Sequence, residues 1–83
     1  LVEAPYDETA ERQEILQRSH SGQEFDFVLK GSLRMKIDDH EFILNEGDSV
    51  YYDATHRHGM IATNGEPCLF LAVVIRDQNG RMG

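Results

Sequence analysis

Three side chains from two separate stretches of the chain could together bind a metal ion. His20 precedes Glu24 by four residues, and His58 lies much further along the chain. Two imidazoles and one carboxylate suffice to hold a first-row divalent metal ion with coordination positions left open. His20 and Glu24 share side-chain parity in an extended chain, so we expect both to point into a β-barrel and to meet His58 there. Spacing alone makes this a hypothesis, because an isolated histidine of a β-protein is usually solvated or hydrogen-bonded.

Two further side chains flank these candidate ligands. Arg18 precedes His20 by two residues. Facing inward, its guanidinium would hold the carboxylate or phosphate of a small acid by paired hydrogen bonds; facing outward, it would pair with a surface carboxylate. His56 has the same parity as His58 and either lines the mouth of the barrel or is solvated in its loop. Arg18 and His56 are therefore candidate ligand-binding residues.

A set of large apolar residues either lines a ligand cavity around this polar cluster or fills the core of a small barrel. The set consists of Met35, Phe42, Tyr52, Met60 and Phe70, of which Tyr52 and Met60 are candidate ligand-binding residues. Phe25 and Phe27 alternate with Glu24 and should point out of the barrel. Either the N-terminal strand or a second subunit has to cover them, and we predict a homodimer.

Alternating apolar and polar residues predict the strands that must position these side chains. Leu33, Met35 and Ile37 alternate with Arg34 and Lys36, as in a half-buried strand. Similar runs recur about every 8–12 residues between turn-forming residues, a pattern typical of all-β sandwiches and barrels. The predicted strands cover residues 25–29, 33–37, 41–44, 49–52, 59–63 and 68–75, and the predicted turns lie at residues 31, 38–39, 45–48 and 64–67.

The N-terminal region is harder to assign. The mixture of charged and apolar residues over 7–18 could form a helix with Thr9 as its cap, but its apolar stripe is thin, and we favour a loop followed by a strand over residues 13–19. Its acidic residues should form a solvated face; they are Glu8, Glu11 and Glu14. The predicted organisation is an N-terminal arm over residues 1–12, a barrel over residues 13–76 and a flexible tail over residues 77–83.

The length and composition of the chain exclude several classes of function. Eighty-three residues allow one compact domain, and 8 Lys and Arg against 15 Asp and Glu give a formal net charge of −7. Such a surface repels phosphate backbones, so we expect no nucleic-acid contact by this segment, and no apolar run reaches the roughly 20 residues of a membrane span. The single cysteine, Cys68, cannot form an internal disulfide, which fits a reducing, cytoplasmic location. Because the chain begins at Leu1, we expect it to derive from a longer protein.

The stretches around the candidate ligands resemble the two motifs of the cupin family. Residues 20–31 (HSGQEFDFVLKG) are similar to the first motif, HxHxxxE followed by six residues and Gly. Residues 47–58 (GDSVYYDATHRH) are similar to the second, GxxxxxPxGxxH. The resemblance covers most of the chain and implies an all-β fold, a small double-stranded β-helix (the cupin jelly-roll barrel), often dimeric. It places His20, Glu24 and His58 at metal-ligand positions.

The chain departs from these motifs at three positions. Arg18 stands where the first motif has its first His, and a guanidinium cannot ligate a metal ion. Asp53 and Thr55 replace the Pro and the inner Gly of the second motif. The resemblance therefore implies a three-ligand site for a divalent ion (Fe, Mn, Ni or Zn) and excludes the four-ligand site of the family.

The sequences of three segments resemble one particular group of cupins. Residues 22–31, 46–53 and 70–75 are similar to the C-terminal cupin domains of bacterial transcription regulators whose N-terminal domain is a helix-turn-helix. The implied function is the sensing of a small molecule, with a metal ion in the barrel. The alternative is a small metal-dependent enzyme, a dioxygenase or isomerase, although only His56 and Asp26 offer a further acid or base. A third interpretation is a barrel without ligand that serves to dimerise.

Overall fold

The computed structural model describes residues 1–76, so the predicted tail over residues 77–83 lies outside the described residues. In residues 1–76, seven strands and one short helix form the fold. They are β1 (Val2–Ala4), α1 (Glu8–Glu11), β2 (Gln23–Lys30), β3 (Leu33–Ile37), β4 (His40–Leu44), β5 (Ser49–Asp53), β6 (His58–Ala62) and β7 (Cys68–Ile75). Strands β2 to β7 confirm the predicted ones, with bounds that differ by at most two residues. In this part of the chain no helix is long and apolar enough to cross a membrane.

The strands form two antiparallel sheets that enclose the core. One sheet has the order β1-β7-β2-β5 and the other β4-β3-β6, so the predicted all-β barrel is confirmed. Parity along β2 decides what faces inward: Glu24, Asp26 and Val28 are buried, whereas Phe25 and Phe27 lie half-buried on the outer face. The core residues are Val28, Leu33, Met35, Leu44, Tyr52, Ala54, Ala62, Cys68 and Phe70.

The turns lie where the sequence predicts them, and each has a local cause. Residues 38–39 close the β3–β4 hairpin, in which Ile37 pairs with His40, and Asp38 adopts a φ of 53°. Aspartate tolerates this left-handed conformation better than most residues. Gly31 has a φ of 86°, and a Cβ there would lie only 2.6 Å from the carbonyl oxygen of Pro67. The connection between β2 and β3 therefore requires glycine.

The predicted strand over residues 13–19 is wrong. Of these residues, all of which the structure describes, none belongs to a strand, and Arg18 makes only an isolated antiparallel bridge to His58. Residues 13–18 instead cross the edge strand β6 as an irregular segment, which we call the strap. Before it, the Asp7 side chain caps α1 by accepting the backbone N–H of Thr9 at 2.9 Å, so the cap is Asp7 rather than Thr9.

The expectation that Glu11 belongs to a solvated face is also wrong. One carboxylate oxygen accepts the Thr63 hydroxyl at 2.7 Å, and the other accepts Nε of Arg34 at 3.2 Å. The hydrogen bond from Thr63, with support from Arg34, lowers the pKa of Glu11. Glu11 thus ties α1, and the strap that follows it, to the sheet that contains β3 and β6.

Candidate metal centre

His20, Glu24 and His58 meet between the two sheets. Glu24 points inward from β2, His58 begins β6 in the opposite sheet, and His20 lies in the loop before β2. One ligand atom from each lies within 4.8 Å of the other two. Nε2 of His20 is 3.2 Å and Nε2 of His58 is 3.7 Å from the same carboxylate oxygen, Oε1 of Glu24. Glu24 and His58 are buried, and His20 is partly exposed.

Backbone carbonyls fix the orientation of both imidazoles. Nδ1 of His20 lies 3.1 Å from the carbonyl oxygen of Ser21, and Nδ1 of His58 lies 2.8 Å from that of His56. A carbonyl only accepts a hydrogen bond, so each Nδ1 is placed to donate to it, and in that tautomer each Nε2 of a neutral ring would offer its lone pair to a metal ion beside Glu24. Metal-binding histidines commonly donate their second nitrogen in this way. Three potential ligand atoms thus converge on one point, close enough to be bridged by a single cation.

Backbone pairing holds the segments that carry these ligands. The N–H of Arg18 donates to the carbonyl of His58 at 2.9 Å, and the N–H of His58 donates back at the same distance. The N–H of His20 donates to the carbonyl of Ala54 at 2.9 Å, and Ala54 donates to Gly22. The irregular loop before β2 is therefore as firmly attached as a short strand, which is how a non-strand residue such as His20 reaches the centre.

A buried acid lies beside Glu24. Asp26 has no solvent exposure, and among the atoms of residues 1–76 its Oδ1 finds no hydrogen-bond partner. Burial, and secondarily the nearby Glu24 carboxylate, raises the pKa of Asp26 to about 8. The Tyr52 hydroxyl donates to Oδ2 of Asp26 at 3.4 Å, and burial raises the pKa of Tyr52. Both side chains adjoin Glu24, but neither belongs to the set of three candidate ligands.

A cavity of about 500 Å³ opens beside the candidate ligands. Two of the predicted ligand-binding residues, Arg18 and Met60, line it together with His20, Glu24 and His58. Its apolar walls also include Ile15 and Leu16 of the strap and Ile61 of β6, which sequence reasoning missed. The strap follows no strand or helix periodicity, so no sequence pattern could have placed it over the cavity.

Tyr52 and His56, also predicted to bind ligand, do not line this cavity. Tyr52 belongs to the core, and its ring packs against His58 edge to face, with ring centroids 5.0 Å apart. His56 lies exposed in the turn before β6, where Nδ1 is 2.8 Å from Oδ2 of Asp38. The aspartate therefore holds His56 away from the cavity, and Tyr52 contacts the candidate ligands from the core side, through His58 and its cross-strand neighbour Glu24.

Arg18 lies at the surface end of the cavity. Its side chain is exposed, and within residues 1–76 no carboxylate lies within ion-pair distance of it. The outward-facing alternative, in which Arg18 pairs with a surface carboxylate, therefore has no partner in the described chain. Its guanidinium is available to a ligand in the cavity.

Residues 7–74 match the family model described as Cupin domain. The chain belongs to the cupin family. This match confirms the resemblance carried by residues 20–31 and 47–58, and it spans both sheets and the strap. No curated protein matched this cupin in sequence.

Several solved cupin-fold structures are similar to this cupin. The hydroxypropylphosphonic acid epoxidase from S. wedmorenis, in complex with fosfomycin, is 26% identical with a TM-score of 0.74, over 88% of this chain and 40% of that one. A cobalt(II) form of HppE in complex with substrate is 28% identical with a TM-score of 0.73, over 88% and 41% of the two chains.

A conserved protein of unknown function from Streptococcus pyogenes is 27% identical with a TM-score of 0.70, over 80% of this chain and 56% of that one. An iron(II) form of HppE with substrate covers 88% of this chain and 42% of its own. This cupin therefore spans less than half of the HppE chains and little more than half of the streptococcal protein. The metals named for HppE, iron(II) and cobalt(II), are first-row divalent ions, the class expected for the His20–Glu24–His58 set.

Proposed function

We propose that this cupin domain binds one first-row divalent metal ion through His20, Glu24 and His58 and recognises a small molecule in the adjacent cavity. The observation that carries this proposal is the convergence of two carbonyl-oriented Nε2 atoms on one carboxylate oxygen. Such a donor set suits a divalent ion with open coordination positions, at which the ion would act as a Lewis acid towards a ligand. Arg18 and Met60 are the proposed ligand contacts, and Tyr52 is a positioning residue behind His58.

The role that we propose for the domain is sensing, as the small-molecule-binding part of a transcription regulator or a regulator-like protein. Its support is the similarity of residues 22–31, 46–53 and 70–75 to regulator cupins, together with an acidic composition that disfavours direct contact with nucleic acid. The sequence of the gene upstream of Leu1 tests this role. An encoded helix-turn-helix supports it, and a native start without one counts against it.

A metal-dependent enzyme is the second candidate. Its specific support is the two-histidine, one-carboxylate set, which is characteristic of non-haem iron(II) oxygenases, and the similarity to HppE structures with iron(II) and substrate. The described site offers little further acid–base machinery, because His56 is turned away and Asp26 is enclosed. Substrate turnover by the metal-loaded domain would favour the enzyme over the sensor.

We further propose a homodimer in a reducing, cytoplasmic compartment. The outer face of the four-stranded sheet carries half-buried Phe25 and Phe27, paired with exposed Val73 and Leu71 on β7. A second copy is the proposed cover, because a chain of 83 residues has a small core of its own. Sedimentation of wild type and Val73→Glu tests this: a dimer that becomes a monomer supports the interface, and a monomeric wild type refutes it.

Metal analysis of the purified protein tests the centre directly. We expect about one equivalent of divalent metal in the wild type and a loss of most of it in His20→Ala, Glu24→Gln and His58→Ala, because each removes one of three donors. His40→Ala is the matched control, since His40 is an exposed histidine on β4, is separated from His58 by β3 and does not belong to the candidate ligand set. Unchanged metal content in the three ligand variants would remove these residues as ligands, provided that circular dichroism shows them folded.

A further inference from the structure

Arg18 is fixed directly beside a candidate metal ligand although its side chain is exposed. The two backbone hydrogen bonds between Arg18 and His58, both 2.9 Å, hold its Cα against the start of β6. The cavity wall contains both residues. A guanidinium on a firmly attached backbone loses little main-chain freedom when it binds a ligand, which favours its use in recognition.

The other titratable groups of the cavity already have partners. The titratable residues that line it are Glu14, Arg18, His20, Glu24 and His58. The two histidines and Glu24 face one another, and the highly exposed Glu14 lies 3.6 Å from the ammonium of Lys36. Arg18 is therefore the cation of this cavity that has no carboxylate within ion-pair distance among residues 1–76.

Apart from Gln13, the remaining side chains that line the cavity are apolar. Ile15 and Leu16 come from the strap, and Met60 and Ile61 come from β6. A volume of about 500 Å³ lies within the range of small-molecule sites, which are mostly apolar with a few polar groups that fix orientation. Walls of this composition accommodate an organic group beside the charge of Arg18.

From this arrangement we infer that the cavity binds a small organic acid whose oxyanion, a carboxylate or a phosphonate, pairs with Arg18 and whose apolar part contacts Met60 and the strap. The inference rests on the proposed function, because the His20–Glu24–His58 cluster forms the inner end of the same cavity. It adds the chemical class of the ligand and the residue that selects it. Arginine suits this role because its planar fork matches either oxyanion by two parallel hydrogen bonds, which an uncharged analogue cannot accept equally well.

Amide chemical shifts of the zinc-loaded domain, followed during titration, test the inference. The probes are butyrate, propylphosphonate and the uncharged butyramide. We expect saturable shifts at Arg18, His58 and Met60 with at least one acid, and binding of butyramide that is weaker by about ten-fold or more, because a charge-assisted pair is lost. The acid that binds more tightly identifies the preferred oxyanion. Absence of saturation with both acids, or equal affinity for butyramide, would overturn the inference.

Two arginine variants make the test specific. Arg18→Gln should weaken acid binding by about ten-fold or more and leave butyramide binding unchanged. The control Arg57→Gln should bind the acids as the wild type does, because Arg57 is exposed, next to His58 in sequence, and outside the cavity lining. An Arg18→Gln protein that retains acid affinity would refute the assignment.

Zinc titration of the same proteins separates this inference from the proposed function. Arg18→Gln should bind zinc within about two-fold of the wild type, because it removes none of the three donors. A wild type that binds zinc but neither acid would refute only the ligand class. A wild type that binds no zinc would refute the metal centre, and saturable acid binding by that metal-free protein would still support the role of Arg18.

Discussion

Replacement of Gly59 by alanine should detach the strap from β6. The backbone of Gly59 is not in the left-handed region, so alanine is conformationally acceptable there. A Cβ, however, would collide with the carbonyl oxygen of Leu16 and would lie 2.7 Å from Cγ2 of Ile15. Leu16 contributes backbone rather than a flexible side-chain end, so the strap itself has to move.

The expected loss in the free energy of unfolding can be estimated from the contacts that the strap makes. Ile15 is 6% exposed, and loss of its burial costs about 1.5–3 kcal/mol. The two hydrogen bonds between Arg18 and His58 contribute about 1 kcal/mol each. These losses amount to about 3.5–5 kcal/mol, and the better strand propensity of alanine offsets about 0.5–1 kcal/mol of them. We therefore expect Gly59→Ala to lower the free energy of unfolding by about 2.5–4.5 kcal/mol.

Urea denaturation and zinc titration of Gly59→Ala measure both consequences. Zinc affinity should fall as well, because the displaced strap carries the loop of His20 with it. Gly47→Ala is the control: its φ of 85° imposes strain of about 1–2 kcal/mol, but a Cβ there meets nothing within 4 Å and lies far from the ligands in sequence. A Gly59→Ala protein as stable as the wild type, with unchanged zinc affinity, would refute the close packing of the strap on β6.

Two further predictions concern pH. The pKa of Asp26 is raised in the folded state from 3.8 to about 8, so between these pH values the folded state binds more protons than the unfolded state. The free energy of unfolding of the metal-free domain therefore falls as pH rises through this interval. The slope is at most about 1.4 kcal/mol per pH unit. Asp26→Asn should remove this slope in urea titrations at pH 5, 6 and 7, and a parallel slope in the variant would contradict the burial of a neutral acid. The pKa of Glu11 is lowered in the folded state from its ordinary value of 4.5. Its contribution to stability is therefore complete above pH 4.5 and is lost as pH falls through the lowered pKa. Glu11→Gln should destabilise the domain at pH 7, and its stability should fall less than that of the wild type when the pH is lowered. The control Glu8→Gln, at an exposed position, should resemble the wild type in thermal denaturation. Equal behaviour of the two variants would contradict the anchoring role of Glu11.

The strands could be predicted from the sequence, because their apolar residues recur at every second position. Leu33, Met35 and Ile37 identified β3, and parity identified Glu24 as an inward residue of β2. His20 lies near Glu24, but it reaches that position from the irregular loop before β2, to which strand parity does not apply. The convergence of His58 with them needed the family motifs as well, because parity alone does not say which strands face each other. The two-residue turn at residues 38–39 was predictable because its backbone conformation is a local property of aspartate.

The strap, the role of Glu11 and the position of Tyr52 could not be predicted in this way. The strap is held by backbone hydrogen bonds and by the close approach of Leu16 to Gly59, neither of which leaves a periodic signal. Glu11 contacts Thr63, which lies more than fifty residues further along the chain. The residues next to Glu11 in sequence therefore do not distinguish it from any exposed helical glutamate. Tyr52 has the parity of an inward residue, but parity does not distinguish the cavity wall from the layer behind His58.

The two ends of the cavity should be thermodynamically coupled. An acid paired with Arg18 steadies a residue whose backbone is bonded to His58, and a metal cation at His58 attracts the oxyanion. Linkage then requires the acid to raise zinc affinity by the same factor by which zinc raises acid affinity, and we expect at least about five-fold, the lower end of typical coupling. The effect of the acid on zinc affinity is measured by calorimetric zinc titrations with and without saturating butyrate or propylphosphonate, whichever binds. The effect of zinc on acid affinity is measured by acid titrations of the metal-free and the zinc-loaded protein. Butyramide should leave zinc affinity unchanged. Equal zinc affinities with and without a bound acid would mean that Arg18 and the metal ligands act separately, and the cavity would then have no means of reporting a ligand through its metal centre.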